Sequence, residues 1–275
     1  AELANTKNPE ILHQLRVALR KLYVIMQLLS KYLVKVKRDD KFEQFKLEIK
    51  LRATQLNMAR DWDMFTNTIL PQIVIKLPKV EAQQIITKQA NSFTIRAYAR
   101  IIKITRAPNY QNFWLNLIYW IKSPDFLFKK YFANKKIVSL SDIVIKDTQK
   151  AFLKYSTSPI NNIPSQQLHK LRIFIKKFHY TVDFFTNLYP EKPASKYLKI
   201  LNKLQDLLGV IHDYKVTRDL CNMLLLQQAK ATINVPYVQE LGEILGFKAC
   251  ESEFAKIKIE KELQKLKDLK PLWNF

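Results

Sequence analysis

The side chains best suited to chemistry in this chain are basic residues set at three- and four-residue spacing in two short segments. The two sets are His13, Arg16 and Arg20, and then His169, Arg172 and Lys176, with Tyr180 continuing the second row. On an α-helix each set falls within about 60° of arc and extends about 10 Å along the axis. Leu15, Leu19 and Leu22 fall on the opposite side of the first helix. Each helix is therefore predicted to have one apolar and one cationic face.

A cationic row of this kind is suited to holding a multivalent anion. Like charges three and four residues apart repel one another, and an anion that bridges them removes that repulsion. Arginine offers a fork of donors to phosphate oxygens, lysine a mobile point charge, and histidine a donor that becomes more cationic beside phosphate. A linear chain of phosphates fits these properties. The alternative is that the cations pair with carboxylates inside a helical bundle or stand in water.

Two further groups of charged residues are less specific. A third basic set on one helix face extends the lining, and its members are Arg96, Arg100 and Lys103. Arg60 lies close in sequence to Asp61 and Asp63. These three residues could line a site or form salt bridges between helices, and the structural role is favoured for both aspartates.

An aromatic run lies between the two basic segments, and its members are Phe113, Trp114, Tyr119 and Trp120. Exposed rings of this kind can stack nucleobases. At helical spacing they are more typical of a hydrophobic core, so the run is predicted to be buried.

The basic segments belong to an internal repeat. Residues 12–22 read LHQLRVALRKL and residues 168–178 read LHKLRIFIKKF, with five identical positions in eleven. Later in each half, NMARDWDMF at 57–65 occupies the place of LLGVIHDYKVT at 207–217. Two ordered copies predict a pseudo-symmetric pair of helical bundles joined near residues 123–142.

Helical periodicity extends through nearly the whole chain. The predicted helices cover about 10–37, 41–70, 78–105, 110–122, 141–156, 165–188, 194–208, 211–230 and 236–269. Pro71 is expected to end the second of these, residues 125–140 are ambiguous, and STSPINNIPS at 156–165 is predicted to be a loop. The chain has only three glycines, which argues against a β-sandwich, a barrel, a Rossmann unit or a Gly-rich nucleotide loop.

The net charge of the chain indicates which kinds of partner it can bind. Forty-six Lys and Arg against 24 Asp and Glu give a formal net charge of +22. A polyanion relieves the resulting self-repulsion, and the candidates are nucleic acid, an anionic membrane face and polyphosphate. A merely solvated basic surface is the alternative.

Cysteine usage and hydropathy bear on the compartment. Cys221 and Cys250 lack metal-type spacing, so they are predicted to be ordinary buried thiols in the reducing cytoplasm. The most apolar patch, residues 113–121, is about half the length of a membrane-spanning helix, and no transmembrane segment is expected. A start at Ala1 without a signal pattern indicates a trimmed chain or part of a longer polypeptide.

The repeated segments resemble the CHAD domain, the conserved histidine α-helical domain. The resemblance rests on paired LHxLRxxxRK and LHxLRxxxKK segments, with RDWD (60–63) after the first and LQDLLGVIHD (204–213) after the second. It covers nearly the whole chain. It implies an all-α fold of two four-helix bundles, residues 1–140 and 141–275, related by a pseudo-twofold axis with a basic central cavity. It also implies binding of inorganic polyphosphate, with targeting to polyphosphate granules or work beside a phosphate-metabolising enzyme.

The resemblance also implies which residues bind polyphosphate. They are His13, Arg16, Arg20 and Lys21 in the first half and His169, Arg172, Lys176, Lys177 and Tyr180 in the second, with Arg60, Arg96 and Arg100 fitting the family's basic pattern. Two residues depart from that pattern. His212 stands where the family usually has Asn, and His179 stands where the family often has Arg. A full helix precedes His169 but not His13. The first bundle is therefore expected to lack its leading helix or to take one from sequence upstream of Ala1.

The chain is expected to bind rather than to catalyse. The ExExK strand of the triphosphate-hydrolysing domain often fused to the family is absent, as are a P-loop, a nucleophile elbow and a His-Glu-x-x-His motif. No catalytic residue, metal or cofactor is predicted, and no protein partner is identified. The alternatives are general binding of RNA or DNA as a weaker polyanion, a surface protein of granules or anionic membranes, and a phosphohydrolase.

Overall fold

A computed structural model describes residues 8–30, 40–76, 80–123, 136–153, 163–228 and 234–272. Within these ranges all regular secondary structure is helical, as predicted. The helices are α1 (Pro9–Leu29), α2 (Asp40–Gln55), α3 (Asn57–Met64), α4 (Leu70–Lys76), α5 (Val80–Arg106), α6 (Pro108–Lys122), α7 (Ile137–Leu153), α8 (Ser165–Phe185), α9 (Glu191–Gln228) and α10 (Val235–Asp268). A π-helical turn (Phe65–Ile69) precedes α4, and a 3-10 turn (Thr186–Leu188) follows α8. None of the described helices is both long and apolar enough to cross a membrane.

Three predicted helix boundaries are wrong. The segment 41–70 is not one helix, because α2 ends at Gln55 and α3 begins at Asn57. Pro71 does not end a helix, because the π-helical turn before it shifts the hydrogen-bond register, with Leu70 N donating to the Phe65 carbonyl, and the chain continues as α4. Gly209 lies inside α9, where a break was predicted between 208 and 211. A helical glycine costs about 1 kcal/mol relative to alanine, too little to interrupt a helix that buries Leu204 and Leu208. The predictions for residues 31–37 and for most of 125–140 and 156–165 fall outside the described ranges.

Helix α1 has the two faces predicted for it. Its start is defined by Asn8, whose side-chain oxygen accepts hydrogen bonds from the backbone N–H groups of Glu10 and Ile11 at 2.9 and 3.5 Å. Leu12 and Leu19 are fully buried on one face. The row that begins at His13 is only partly buried on the other face.

The chain packs as two compact units. Unit 1 comprises residues 1–129 and 216–247, and unit 2 comprises 130–215 and 248–275. This grouping differs from the single predicted boundary at residue 140. The difference arises because Leu220, Leu224 and Tyr237 share a buried cluster with Trp62 and Phe65 of the first half. The pseudo-twofold relation of two repeat halves stays a prediction.

A second cluster in unit 1 buries part of the aromatic run. Phe113 and Trp120 lie in this cluster and Trp114 packs against it, as predicted. Tyr119 is the exception, because 79% of its surface is exposed.

The prediction that both cysteines are buried thiols is confirmed for Cys221 and wrong for Cys250, which is exposed.

Unit 2 is built around α7, α8 and the first part of α9. The Phe178 ring of α8 lies 6.1 Å from Phe152 and 6.2 Å from Tyr197. Leu171 and Ile175 are fully buried on the same helix. The hydrophobic face of α8 is therefore occupied, which leaves its basic row outside the core.

Candidate anion-binding site

In unit 1, Asn57 at the start of α3 organises the α1 row. Its Oδ1 accepts a hydrogen bond from Nε of Arg16 at 3.0 Å and a longer one from Nη2 of Arg20 at 3.5 Å. An amide oxygen orients a guanidinium without neutralising it. This contact therefore orients the two arginines without neutralising them.

Arg60 joins this row from α3, one turn after Asn57. Burial lowers the pKa of His13, and the positive charges of Arg60 and Arg16 lower it further, against an opposing effect of Glu10. His13 Nδ1 is buried and has no hydrogen-bond partner in the described part of the chain. A protonated ring would need acceptors at both nitrogens, so His13 is neutral at neutral pH when no anion is bound.

Asp63 has a structural role, as predicted, but its bonding partner is a hydroxyl. The carboxylate is buried, and its Oδ2 accepts a hydrogen bond from Tyr98 of α5 at 2.7 Å. Burial raises the pKa of Asp63, while the Tyr98 bond and the Arg60 charge oppose that shift. The contact ties α3 to α5 about one helical turn after Arg60.

The α5 arginines lie on an exposed part of that helix. Arg96 lies 4.4 Å from the centroid of the Phe93 ring, and Phe93 stacks on Trp62 at 4.6 Å. Arg96 and Arg100 are exposed.

In unit 2, the α8 row is joined by residues of α9. The rings of His169 and His212 lie 6.0 Å apart, and Lys215 follows one turn later. Partial desolvation lowers the pKa of His169, and the charges of Arg172, Lys215 and Lys176 lower it further. Three cations therefore act on His169, whereas His13 is acted on by two cations, Arg60 and Arg16, and by one acid, Glu10.

The remaining predicted residues lie beside the rows. Lys21 and Lys177 are partly exposed and are displaced by about 80° around their helices from the histidines. Tyr180 continues the α8 row, with its ring 5.6 Å from that of His179.

His13 and His169 have neighbours at equivalent positions of the repeat. When RD at 60–61 is aligned with HD at 212–213, Arg60 matches His212, Asp63 matches Lys215 and Asn57 matches Gly209. Unit 2 thus has an exposed cation where unit 1 has a buried acid. In the described ranges no three His, Cys, Asp or Glu side chains are grouped to hold a metal ion.

Asn57 and Lys215 are not predicted as site residues from the sequence, and His212 is predicted only as a departure from the family pattern. Asn57 is uncharged, so a search for cations passes over it. The available signal was spacing, because Asn57 lies one helical turn before Arg60 and Lys215 one turn after His212.

Comparison with known proteins agrees with this architecture. The family model of the CHAD domain matches residues 1–222. The crystal structure of the CHAD domain from the plant Ricinus communis is similar with a TM-score of 0.78 and 21% identity, over 98% of this chain and 85% of that chain. PptA from Streptomyces chartreusis is similar with a TM-score of 0.71 and 12% identity, over 94% of this chain and 90% of that chain. At these identities the likeness concerns the fold alone. Among curated proteins, none matches.

Proposed function

The chain belongs to the CHAD domain family, and we propose that it binds inorganic polyphosphate without catalysing a reaction. One observation carries the proposal. In each unit a histidine in a basic helical row feels the charge of cations both from its own helix and from a second helix, Arg60 for His13 and Lys215 for His169. Such a concentration of charge is relieved by a multivalent anion.

The way the cations are held also favours this ligand. Arg16 and Arg20 both bond to the neutral amide of Asn57, a contact that orients their guanidiniums without neutralising them. Rows about 10 Å long place several donors along a line, as a phosphate chain requires. The proposal keeps Lys21, Lys177, Tyr180, Arg96 and Arg100 as outer members of the lining.

The proposal assigns the site no catalytic residue. Phosphoryl transfer usually relies on Mg²⁺ held by carboxylates beside the phosphate. The buried carboxylate nearest Arg60, Asp63, is engaged by the hydroxyl of Tyr98. We extend the proposal to action in the cytoplasm at polyphosphate granules, which is what the family resemblance implies.

A titration of long-chain polyphosphate at several salt concentrations tests this function, with RNA of equal charge as competitor. We expect submicromolar binding that weakens with salt and persists in excess RNA. Equal competition by RNA would instead make the protein a general binder of polyanions. Release of phosphate in the presence of Mg²⁺ or Mn²⁺ would contradict the non-catalytic assignment.

A further inference from the structure

Helix α6 presents a second apolar face to the solvent. Leu115, Ile118 and Tyr119 are exposed over 65%, 52% and 79% of their surfaces. On the helix they share about 100° of arc, away from the buried side chains of Phe113 and Leu117. Both faces of α6 are thus apolar, and only one of them contributes to the core.

This face is a patch rather than a scatter of single residues. Isolated exposed apolar side chains are normal on protein surfaces, but adjacent ones on one helix face mark an interaction surface. The core cluster is complete without them, because it uses Phe113, Leu117 and Trp120. Packing therefore does not account for Leu115, Ile118 and Tyr119.

The stretch of chain that carries this face is basic and contains no acidic residue. Residues 82–124, which include most of α5 and all of α6, contain no Asp or Glu. Six basic residues in this stretch are exposed, namely Lys88, Arg96, Arg100, Lys103, Arg106 and Lys122. Lys103 and Arg106 lie in the last turn of α5, and Lys122 in the last turn of α6.

We propose that α6 docks on an anionic phospholipid bilayer. The helix lies in the plane of the interface, with Leu115, Ile118 and Tyr119 inserted among the lipids and Lys103 and Lys122 directed to the headgroups. A tyrosine suits the boundary because its ring is apolar and its hydroxyl polar. This surface is distinct from the basic rows of α1 and α8.

Charge decides between the possible occupants of the patch. A second copy of the chain would bring two basic, acid-free stretches of α5 and α6 together, which is unfavourable, whereas an anionic bilayer complements them. Nucleic acid would also complement the charge, but leucine and isoleucine offer no aromatic face to stack on bases. The combination of aliphatic residues and cations favours lipid.

Sedimentation with vesicles tests the proposal on the full chain. We expect binding to phosphatidylcholine vesicles that contain phosphatidylserine, weak binding to phosphatidylcholine alone, and weakening with salt. Leu115→Asp/Tyr119→Asp should reduce binding roughly tenfold or more. Leu226→Asp/Phe254→Asp is the matched control, since it replaces two other exposed apolar residues with the same charge, and it should bind nearly as the parent does.

Two further comparisons make the result decisive. Lys103→Gln/Lys122→Gln should lower binding to the anionic vesicles by about tenfold, and Arg16→Ala/Arg172→Ala should leave it nearly intact. The lipid assignment would be overturned if Leu115→Asp/Tyr119→Asp bound vesicles like the parent. It would also be overturned if the parent ignored vesicles and formed a dimer that this variant abolished, because the face would then bind a second copy.

Discussion

Nε of Arg16 donates a hydrogen bond to Oδ1 of Asn57 across 3.0 Å, which fastens the basic row of α1 to the first turn of α3. The same oxygen receives the weaker bond from Arg20. Because the acceptor is a neutral amide, this contact orients both guanidiniums without cancelling their charge. A carboxylate at this position would hold them equally well and would compete with any anionic ligand.

Replacing the amide of Asn57 with a carboxylate should keep Arg16 in position while neutralising its charge. We expect Asn57→Asp to weaken polyphosphate binding about tenfold, because the new carboxylate pairs with Arg16 and occupies its donors. The free energy of unfolding should not decrease, since the contact between α1 and α3 is kept. Titration of polyphosphate and urea unfolding measure the two quantities.

Asn116→Asp on α6 is the control for added negative charge, because Asn116 is exposed and lies outside the proposed site. It should change polyphosphate affinity by less than about twofold at moderate salt. Equal losses in the two variants would show that Asn57 has no special place beside the arginines.

Binding should strengthen as the pH falls. Burial and neighbouring cations lower the pKa of His13, and partial desolvation and cations lower that of His169. A bound polyanion raises both pKa values, so the complex takes up protons and affinity rises as the pH drops from about 7.5 to about 5.5. It should level off once the free protein is also protonated, below its lowered pKa values.

Calorimetric titration in buffers of different ionisation enthalpy measures this proton uptake. His13→Gln/His169→Gln should remove most of the uptake and flatten the pH dependence while binding persists through the arginines. Unchanged uptake in this variant would place the titrating groups elsewhere.

The sequence predicted the basic rows well because helical periodicity alone decides which residues share a face. Leu12 and Leu19 are buried while His13 is not, and Leu171 and Ile175 are fully buried beside the exposed His169. The partners from other helices could not be predicted in this way. Asn57 reaches Arg16 over 41 positions, a contact that depends on how α1 and α3 pack.

The wrong helix boundaries have a related cause. Glycine and proline disfavour helices locally, but at Gly209 and Pro71 tertiary packing outweighs this local preference. Tyr119 is predicted to be buried with the rest of its run, yet it lies about 120° around α6 from Phe113 and is exposed. Spacing showed that the segment was helical but not that only one of its apolar faces was covered.

Because α9 continues through Gly209, replacing this glycine should change the stability of the protein. A Cβ added at Gly209 would meet no neighbour within 4 Å. We therefore expect Gly209→Ala to raise the free energy of unfolding by about 1 kcal/mol, through the better helix propensity of alanine. Denaturant unfolding measures the change.

Gly242→Ala on α10 provides the comparison, because it is also inside a helix with open space around a new Cβ. It should stabilise by a similar amount. If Gly209→Ala destabilised the protein while Gly242→Ala stabilised it, α9 would be interrupted at residue 209, as the sequence first indicated.

The bond between Tyr98 and Asp63 should contribute to stability in a pH-dependent manner. Tyr98→Phe leaves a buried carboxylate without this donor, and we expect it to lower the free energy of unfolding by about 1–3 kcal/mol near neutral pH. The pKa of Asp63 is already raised by burial and would rise further. The deficit should therefore shrink as the pH falls through that raised pKa and the carboxyl becomes protonated.

Urea unfolding of Tyr98→Phe at neutral and acidic pH measures both effects. Tyr119→Phe removes the same hydroxyl from an exposed ring and should change stability by less than about 0.5 kcal/mol. A Tyr98→Phe deficit that grew at acidic pH would contradict the role assigned to Asp63.

The central claim is that the rows of α1 and α8 bind polyphosphate, and a charge-matched pair of double variants tests it most directly. Arg16→Ala/Arg172→Ala removes one arginine from each row, and Lys50→Ala/Lys258→Ala removes two exposed cations elsewhere. In a polyphosphate titration at fixed salt we expect the first to weaken binding about a hundredfold and the second by less than about threefold. Equal effects of the two would show that affinity follows net charge alone, and the rows would not be the site.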